Sequence, residues 1–148
     1  MAFAPLAEEL RRAGQLAEAV ATCRAGLSRH PEYVTARATL GRVLLDQGDF
    51  DAALAELTRV LQAAPEHLAA LKGIAEIHAE RGDVDAALVT YRRAFDLARE
   101  DLDLARTIAA LEAQQPPPPP SPAPQSSRVL DRLETFLRQI LAARVRQG

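Results

Sequence analysis

A period of 34 residues constrains the fold of this chain more than any other feature of its sequence. The positions that recur at this spacing are Gly14, Gly48 and Gly82, and Ala19, Ala53 and Ala87. Pro31 and Pro65 keep the same register. Repetition at a period of about 20–50 residues is typical of architectures in which each unit buries its apolar faces against its neighbours. The sequence therefore predicts a stack of similar units.

Each unit has the pattern of a helical hairpin. In the second unit, apolar residues at helical spacing predict one helix over residues 34–47 and another over 50–63. Gly48 and Asp49 between them predict a turn, and Pro65 helps to stop the second helix. Asp49, like Asp83 in the next unit, can cap the first N–H groups of the helix that follows. Ala53 is small enough to let the two helices approach closely.

This pattern resembles the tetratricopeptide repeat (TPR) family. The second unit carries it most fully, with Leu40, Gly41, Leu44, Gly48, Ala53, Leu57, Val60 and Pro65. The third unit departs from the pattern at Arg99, where the family has proline. The resemblance implies an all-α solenoid of three helical hairpins with a capping helix. Its segments are repeats at about 1–33, 34–67 and 68–101 and a cap at 102–114, within a domain over 1–115.

The resemblance also implies a partner-binding groove, because the concave face of a TPR solenoid is lined mainly by the first helix of each pair. The register places seven polar residues there: Glu8, Arg11, Thr35, Arg42, Lys72, Glu76 and Arg106. Chaperone-binding members need a Lys/Asn clamp for a terminal carboxylate, and this chain contains no Asn. We therefore reject the clamp and expect an extended or helical peptide, although any one of these side chains can equally be an ordinary solvated residue.

The C-terminal part of the chain begins with a proline-rich linker over residues 116–127 and continues as one helix over 128–147, with Ser126 or Ser127 as its N-cap. At 100° per residue the large apolar side chains of this helix fall within an arc of about 140°. They are Val129, Leu130, Leu133, Phe136, Leu137, Ile140 and Leu141. An isolated helix with so wide an apolar face should bury it against something, so we predict a partner-binding helix.

Charge is divided unequally between the two parts. The net charge of the chain is −2. The C-terminal helix has five arginines against Asp131 and Glu134, a net charge of +3, which leaves −5 upstream. The pattern favours a separate protein as the partner of this helix. The alternatives are packing against its own solenoid, pairing with a second copy as a homo-oligomer, and contact with a membrane surface, which the two acidic residues disfavour.

Catalytic, metal and cofactor chemistry has no recognisable pattern. The sequence contains no phosphate-binding loop, dinucleotide fingerprint or zinc-protease motif. We expect His30 and His67 to lie at helix C-terminal ends and Cys23 to be a packing residue. Because the net charge is small, we expect no nucleic-acid partner. The N-terminus predicts no signal peptide and no apolar run is long enough for a membrane helix, so we expect a cytoplasmic protein.

The sequence thus predicts an adaptor or scaffold without enzymatic activity, metal or cofactor. Its groove is expected to bind one protein or peptide, while the tethered C-terminal helix docks a second protein. Two alternatives stay open. One is a small secretion-type chaperone that holds a client in the groove, and the other is a self-associating scaffold or regulatory subunit of an enzyme that uses the C-terminal helix.

Overall fold

The computed structural model describes residues 2–120 and 125–147, and within these ranges the chain is all helical, with eight helices and no strand. The helices are α1 (Phe3–Arg12), α2 (Leu16–Arg29), α3 (Val34–Asp46), α4 (Phe50–Ala63), α5 (Leu68–Glu80), α6 (Val84–Leu97), α7 (Leu102–Glu112) and α8 (Gln125–Arg146). They divide into two units, α1–α7 and α8. The predicted all-α class is confirmed.

Three hairpins and a final helix build the first unit: α1 pairs with α2, α3 with α4, α5 with α6, and α7 packs on α6. The first helices α1, α3 and α5 also contact one another in a row. This is the arrangement of a TPR solenoid, in which each hairpin stacks on the next. The predicted fold of the repeat region is confirmed.

Glycine closes each hairpin. Gly14, Gly48 and Gly82 have φ angles of 78°, 79° and 77°, in the left-handed region that other residues rarely adopt. At the middle turn, the N–H of Asp49 donates to the carbonyl of Leu44 at 3.0 Å, which satisfies one of the last carbonyls of α3. The chain therefore reverses direction within the three residues between the two helices of the hairpin.

Aspartate caps the second helix in two of the three hairpins, as the sequence predicts. The Asp49 carboxylate accepts a hydrogen bond from the N–H of Ala52 at 3.3 Å, and Asp83 accepts from Ala86 at 3.2 Å. In the first hairpin the equivalent residue is Gln15, whose side chain makes no capping bond. The turn of the first hairpin thus lacks the side-chain cap that the other two turns have.

Small residues set the spacing between helices. Ala19, Ala53 and Ala87 are completely buried at equivalent places in α2, α4 and α6. Leu57 of α4 shows the complementary arrangement, because its side chain fills the space left by Gly41 of α3 and Gly73 of α5. A Cβ on these glycines would lie 2.5 Å and 2.7 Å from Leu57 carbon atoms. One leucine therefore joins the second hairpin to the third.

Several predicted boundaries differ from the structure. Helix α7 ends at Glu112 instead of at residue 114. Helix α8 begins at Gln125, three residues before its predicted start, and Ser126 and Ser127 lie within the helix. The prediction that one of them caps the helix concerns side chains outside the described part of the chain. In the linker, residues 116–120 have no regular structure and are exposed, whereas residues 121–124 lie outside the described part of the chain.

The two junction histidines also differ from each other. His30 is at the C-terminal end of α2, as expected. His67 instead caps the start of α5, where its Nδ1 accepts a hydrogen bond from the N–H of Ala70 at 3.3 Å. The prediction of a helix C-terminal position for His67 is wrong, because the loop after Pro65 is short and α5 begins directly after the histidine.

Candidate functional site

The first helices of the three hairpins enclose a groove with a volume of about 450 Å³. It is lined by Glu8, Arg11, Arg12, Thr35, Ala38, Thr39, Arg42, His67, Ala69 and Lys72. These residues come from α1, α3 and α5 and from the cap of α5, so the groove exists only once the hairpins have stacked. A larger but shallower depression of about 620 Å³ lies at the first two turns, and fewer long side chains converge there.

Five of the seven predicted groove residues line this groove: Glu8, Arg11, Thr35, Arg42 and Lys72. Glu76 does not line it, although its carboxylate lies 3.7 Å from Arg42. Arg106 lies farther along, on α7, where it pairs with the exposed Asp103 at 3.7 Å. The structure therefore brings five of the predicted residues together in the groove and leaves Glu76 and Arg106 outside its lining.

Arg11 joins the first helix to the third. Its guanidinium donates hydrogen bonds to Glu8 one turn earlier and to Asp46 at the end of α3, both at 2.7 Å. The hydrogen bond from Arg11 holds the pKa of the Glu8 carboxyl below its usual value, and the two carboxylates raise the pKa of Arg11. Arg11 is therefore a permanently charged side chain, held in place by two carboxylates, in the lining of the groove.

Two further ion pairs continue this pattern along the groove. Arg42 of α3 lies 3.7 Å from Glu76 of α5, and the ammonium of Lys72 donates to Asp101, the cap of α7, at 2.6 Å. The Lys72 hydrogen bond, together with the N–H groups at the start of α7, lowers the pKa of the Asp101 carboxyl. One ion pair thus bridges each step from α1 to α3, α5 and α7, and we call these three bridges the ion-pair ladder.

The ladder leaves the groove electrically balanced. The cations of the ladder are Arg11, Arg42 and Lys72, and its anions are Asp46, Glu76 and Asp101. Beside the ladder, Arg12 at the rim of the groove pairs with Glu8, which also pairs with Arg11. The floor between the charged groups consists of small side chains, including the exposed Ala69. Such a surface offers paired charges and a shallow apolar strip instead of a free cation for an anionic ligand.

Sequence reasoning missed Asp46, Asp101 and His67, which hold or line the groove. Asp101 had a usable signal, since an aspartate directly before an apolar helical pattern is a typical N-cap. Asp46 had no such signal, because its partner Arg11 is 35 positions away in the sequence. The pairing depends on how the two first helices stack.

The second unit presents its predicted apolar residues on the surface. The side chains of Val129, Leu130, Leu133, Phe136, Leu137, Ile140 and Leu141 are between 41% and 61% exposed. Every described residue from Arg128 to Gln147 is exposed as well. Helix α8 therefore displays a continuous apolar stripe.

The other candidate reactive groups have structural surroundings. Cys23 is completely buried, and burial raises the pKa of its thiol to about 11, which suppresses the reactive thiolate. Within residues 2–120 and 125–147, no three His, Cys, Asp or Glu side chains are grouped in a way that could hold a metal ion. Nor is any helix in these ranges both long and apolar enough to cross a membrane.

Comparison with known families identifies the repeats. Two family models, each described as tetratricopeptide repeat, match residues 10–59 and 38–101. The matched ranges run from α1 to the end of the third hairpin, and the chain belongs to the TPR family. TPR units are typically non-catalytic modules of protein–protein interaction, and neither matching family is an enzyme family. No curated protein matches the chain.

Solved structures share this fold at low sequence identity. The first TPR of Spaghetti (RPAP3), bound to the HSP90 peptide SRMEEVD, has a TM-score of 0.70 and 11% identity, covering 75% of this chain and 88% of that one. MamA 41-end from Desulfovibrio magneticus RS-1 and the MamA RS-1 ArsTM double mutant each have a TM-score of 0.68 and 20% identity. These two alignments cover 76% of this chain but only 63% of each MamA chain.

Proposed function

We propose that this chain is an adaptor that holds two proteins together. The groove between α1, α3 and α5 binds a peptide segment of a partner protein, and the apolar stripe of α8 docks a second protein. The observation that carries the proposal is the groove itself, a concave site of about 450 Å³ lined from three stacked helices. The RPAP3 structure supports it, because that protein has the same fold and its structure contains a bound peptide.

The ion-pair ladder indicates which peptides suit the groove. The peptide in the RPAP3 structure, SRMEEVD, is acidic. Here each cation of the ladder already faces a carboxylate, so an acidic peptide would have to displace Glu8, Asp46 or Asp101 and leave that carboxylate without its partner. A segment of balanced charge, with small apolar side chains toward Ala38 and Ala69, avoids this cost.

A groove-filling variant tests the peptide site without breaking an ion pair. Ala69→Arg places a long side chain on the exposed floor of the groove, whereas Ala55→Arg adds the same side chain to an exposed position of α4 outside it. Tagged full-length chains are used to capture proteins from cells that express the chain, and the captured proteins are quantified by mass spectrometry. We expect Ala69→Arg to lower capture of the groove partner at least ten-fold and Ala55→Arg to leave it unchanged.

The same capture separates the adaptor from the chaperone alternative. An adaptor loses one partner with Ala69→Arg and a different one with Leu133→Asp in α8. A chaperone loses its client with the groove variant and tolerates the α8 variant. If both variants capture the same proteins as the unmodified chain, neither surface binds a partner and the proposal is wrong.

A further inference from the structure

Six of the seven apolar residues in the stripe of α8 are placed symmetrically about its middle. Leu133 and Leu137 lie two residues on either side of Thr135, and Leu130 and Ile140 lie five residues on either side. Val129 and Leu141 continue the pattern at six residues. Phe136 is the exception, because the mirrored position is Glu134. The other six residues have the same spacing whether α8 is followed forward or backward. A surface with this property can match a copy of itself across a twofold axis, as a symmetric dimer requires.

We propose that the protein docked by α8 is a second copy of this chain, whose α8 packs antiparallel to the first. This inference rests on the proposed function and names the partner of its second surface. In the antiparallel arrangement Leu130 packs against Ile140 of the other copy, and Leu133 against Leu137. Each pair occurs twice by symmetry, so four apolar layers form. The 3–4–3 spacing of these residues is the spacing of a coiled-coil seam.

The position of one arginine of α8 favours this arrangement over a parallel one. Arg128, Arg132, Arg138 and Arg146 lie outside the seam, where with Asp131 and Glu134 they give a net charge of +2 that is exposed to water and screened. Arg144 is the exception, since it continues the seam one turn beyond Ile140. A parallel pair would bring the two Arg144 side chains together, whereas an antiparallel pair places them at opposite ends. Antiparallel helices also align their dipoles favourably.

The exposed area is sufficient for a weak but specific dimer. The seven side chains of the stripe are 41–61% exposed, and covering most of that surface on two helices removes on the order of 1,200 Å² from water. That value is at the lower end of the range for stable protein interfaces. A homodimer of this kind would carry two peptide grooves on two proline-rich linkers, which raises the avidity for a partner with two binding segments.

The mass of the purified full-length chain tests the inference directly. Light scattering on a size-exclusion column, run from low to high micromolar concentration, is expected to give a mass approaching twice the monomer mass of 16.0 kDa. Leu133→Asp puts a charge in the seam and should return the mass to that of the monomer. Gln139→Asp adds the same charge on the opposite side of α8 and should leave the dimer intact.

Disulfide cross-linking tests the antiparallel direction. In this arrangement the two copies of Glu134 lie close together near the twofold axis, so Glu134→Cys should cross-link under mild oxidation. The two copies of Gln147 lie at opposite ends, so Gln147→Cys should not. Buried Cys23 provides no competing thiol while the chain is folded.

The contradicting results are equally specific. Two results overturn the inference: a full-length chain that is monomeric at all concentrations, or a dimer that Leu133→Asp does not affect. The stripe of α8 would then be covered by another protein, by a membrane or by the chain's own solenoid. Efficient cross-linking through Gln147→Cys overturns the antiparallel arrangement. These outcomes concern the mass of the purified chain, whereas failure of the peptide site would be seen in the groove variants, so the two failures are distinguishable.

Discussion

At the scale of single residues, the groove is controlled by pairs of charges that belong to different hairpins. Asp101 is the most instructive member, because its carboxylate accepts hydrogen bonds both from Lys72 and from the N–H groups of Asp103 and Leu104. The same side chain caps α7 and neutralises a groove cation. A residue that caps a helix thus also determines the electrostatic character of the groove.

Asp101→Asn separates these two roles. Asparagine is also a good N-cap, so the helix retains its cap while the charge opposite Lys72 is lost. Because the folded state lowers the pKa of Asp101 below the ordinary value of 3.8, the pairing stabilises the protein above that pH and is lost as the pH falls through the lower, folded-state pKa. We expect the melting temperature of the variant to lie below that of the unmodified chain at pH 6.

Thermal melts from pH 6 to pH 2 check this prediction. The difference between the two melting temperatures should begin to shrink as the pH falls below the ordinary pKa of 3.8, where the unfolded carboxyl becomes protonated. It should be smallest below the lower, folded-state pKa, where the carboxyl is protonated in both states. Asp103→Asn is the matched control, because that carboxylate is largely exposed and makes only a 3.7 Å contact with Arg106. A difference that stays constant over the whole range would show that Asp101 acts through its cap alone.

At the scale of helices, the solenoid is held by large side chains that enter gaps between small ones. Leu57 is completely buried and contacts the helices on both sides of its own, at Gly41 and Gly73. The two glycines carry a cost in helix propensity of about 1 kcal/mol each. Close packing around Leu57 compensates for it, because the leucine could not occupy this position beside larger residues.

Leu57→Ala should therefore destabilise the solenoid by about 2–5 kcal/mol, the usual cost of removing a fully buried leucine side chain. Val89→Ala in α6 is the control, because Val89 is 67% exposed and its truncation should change stability by less than about 0.5 kcal/mol. Urea denaturation followed by circular dichroism measures both. Equal effects of the two substitutions would contradict the role assigned to Leu57.

At the scale of the whole molecule, the chain is organised as two units with different physical character. The first unit buries its apolar residues in a core that runs through its stacked hairpins. The second is a helix with a surface-exposed apolar stripe. Stability resides in the first unit, and the second adds a surface that can associate.

This division predicts that the stability of the solenoid is independent of the stripe. Leu133 is 51% exposed in the single chain, so replacing it with aspartate removes no contact from the core of the solenoid. We expect Leu133→Asp to leave the main thermal transition unchanged within about 1 °C, an effect of well below 1 kcal/mol. Differential scanning calorimetry measures it. A large fall in the transition temperature would show instead that α8 completes the core of the solenoid.

The sequence by itself determined the repeats, the hairpins and the amphipathic character of the last helix. These features are local: glycines at positive φ, aspartate caps and apolar residues at helical spacing act within one or two turns of the chain. Because the repeat register follows from these local features, the sequence also located most of the groove residues. It misplaced His67, because a cap depends on where the preceding loop ends, and it placed the start of α8 three residues too late.

Only the tertiary structure decided the charge of the groove. Arg11 and Asp46, like Lys72 and Asp101, are about 30 residues apart, and their pairing follows from the way neighbouring first helices stack. Electrostatic interactions of this kind depend on distance in space, which a single sequence does not encode position by position. The local pattern predicted a groove with several cations. The stacking of the hairpins placed a carboxylate beside each cation of the ion-pair ladder.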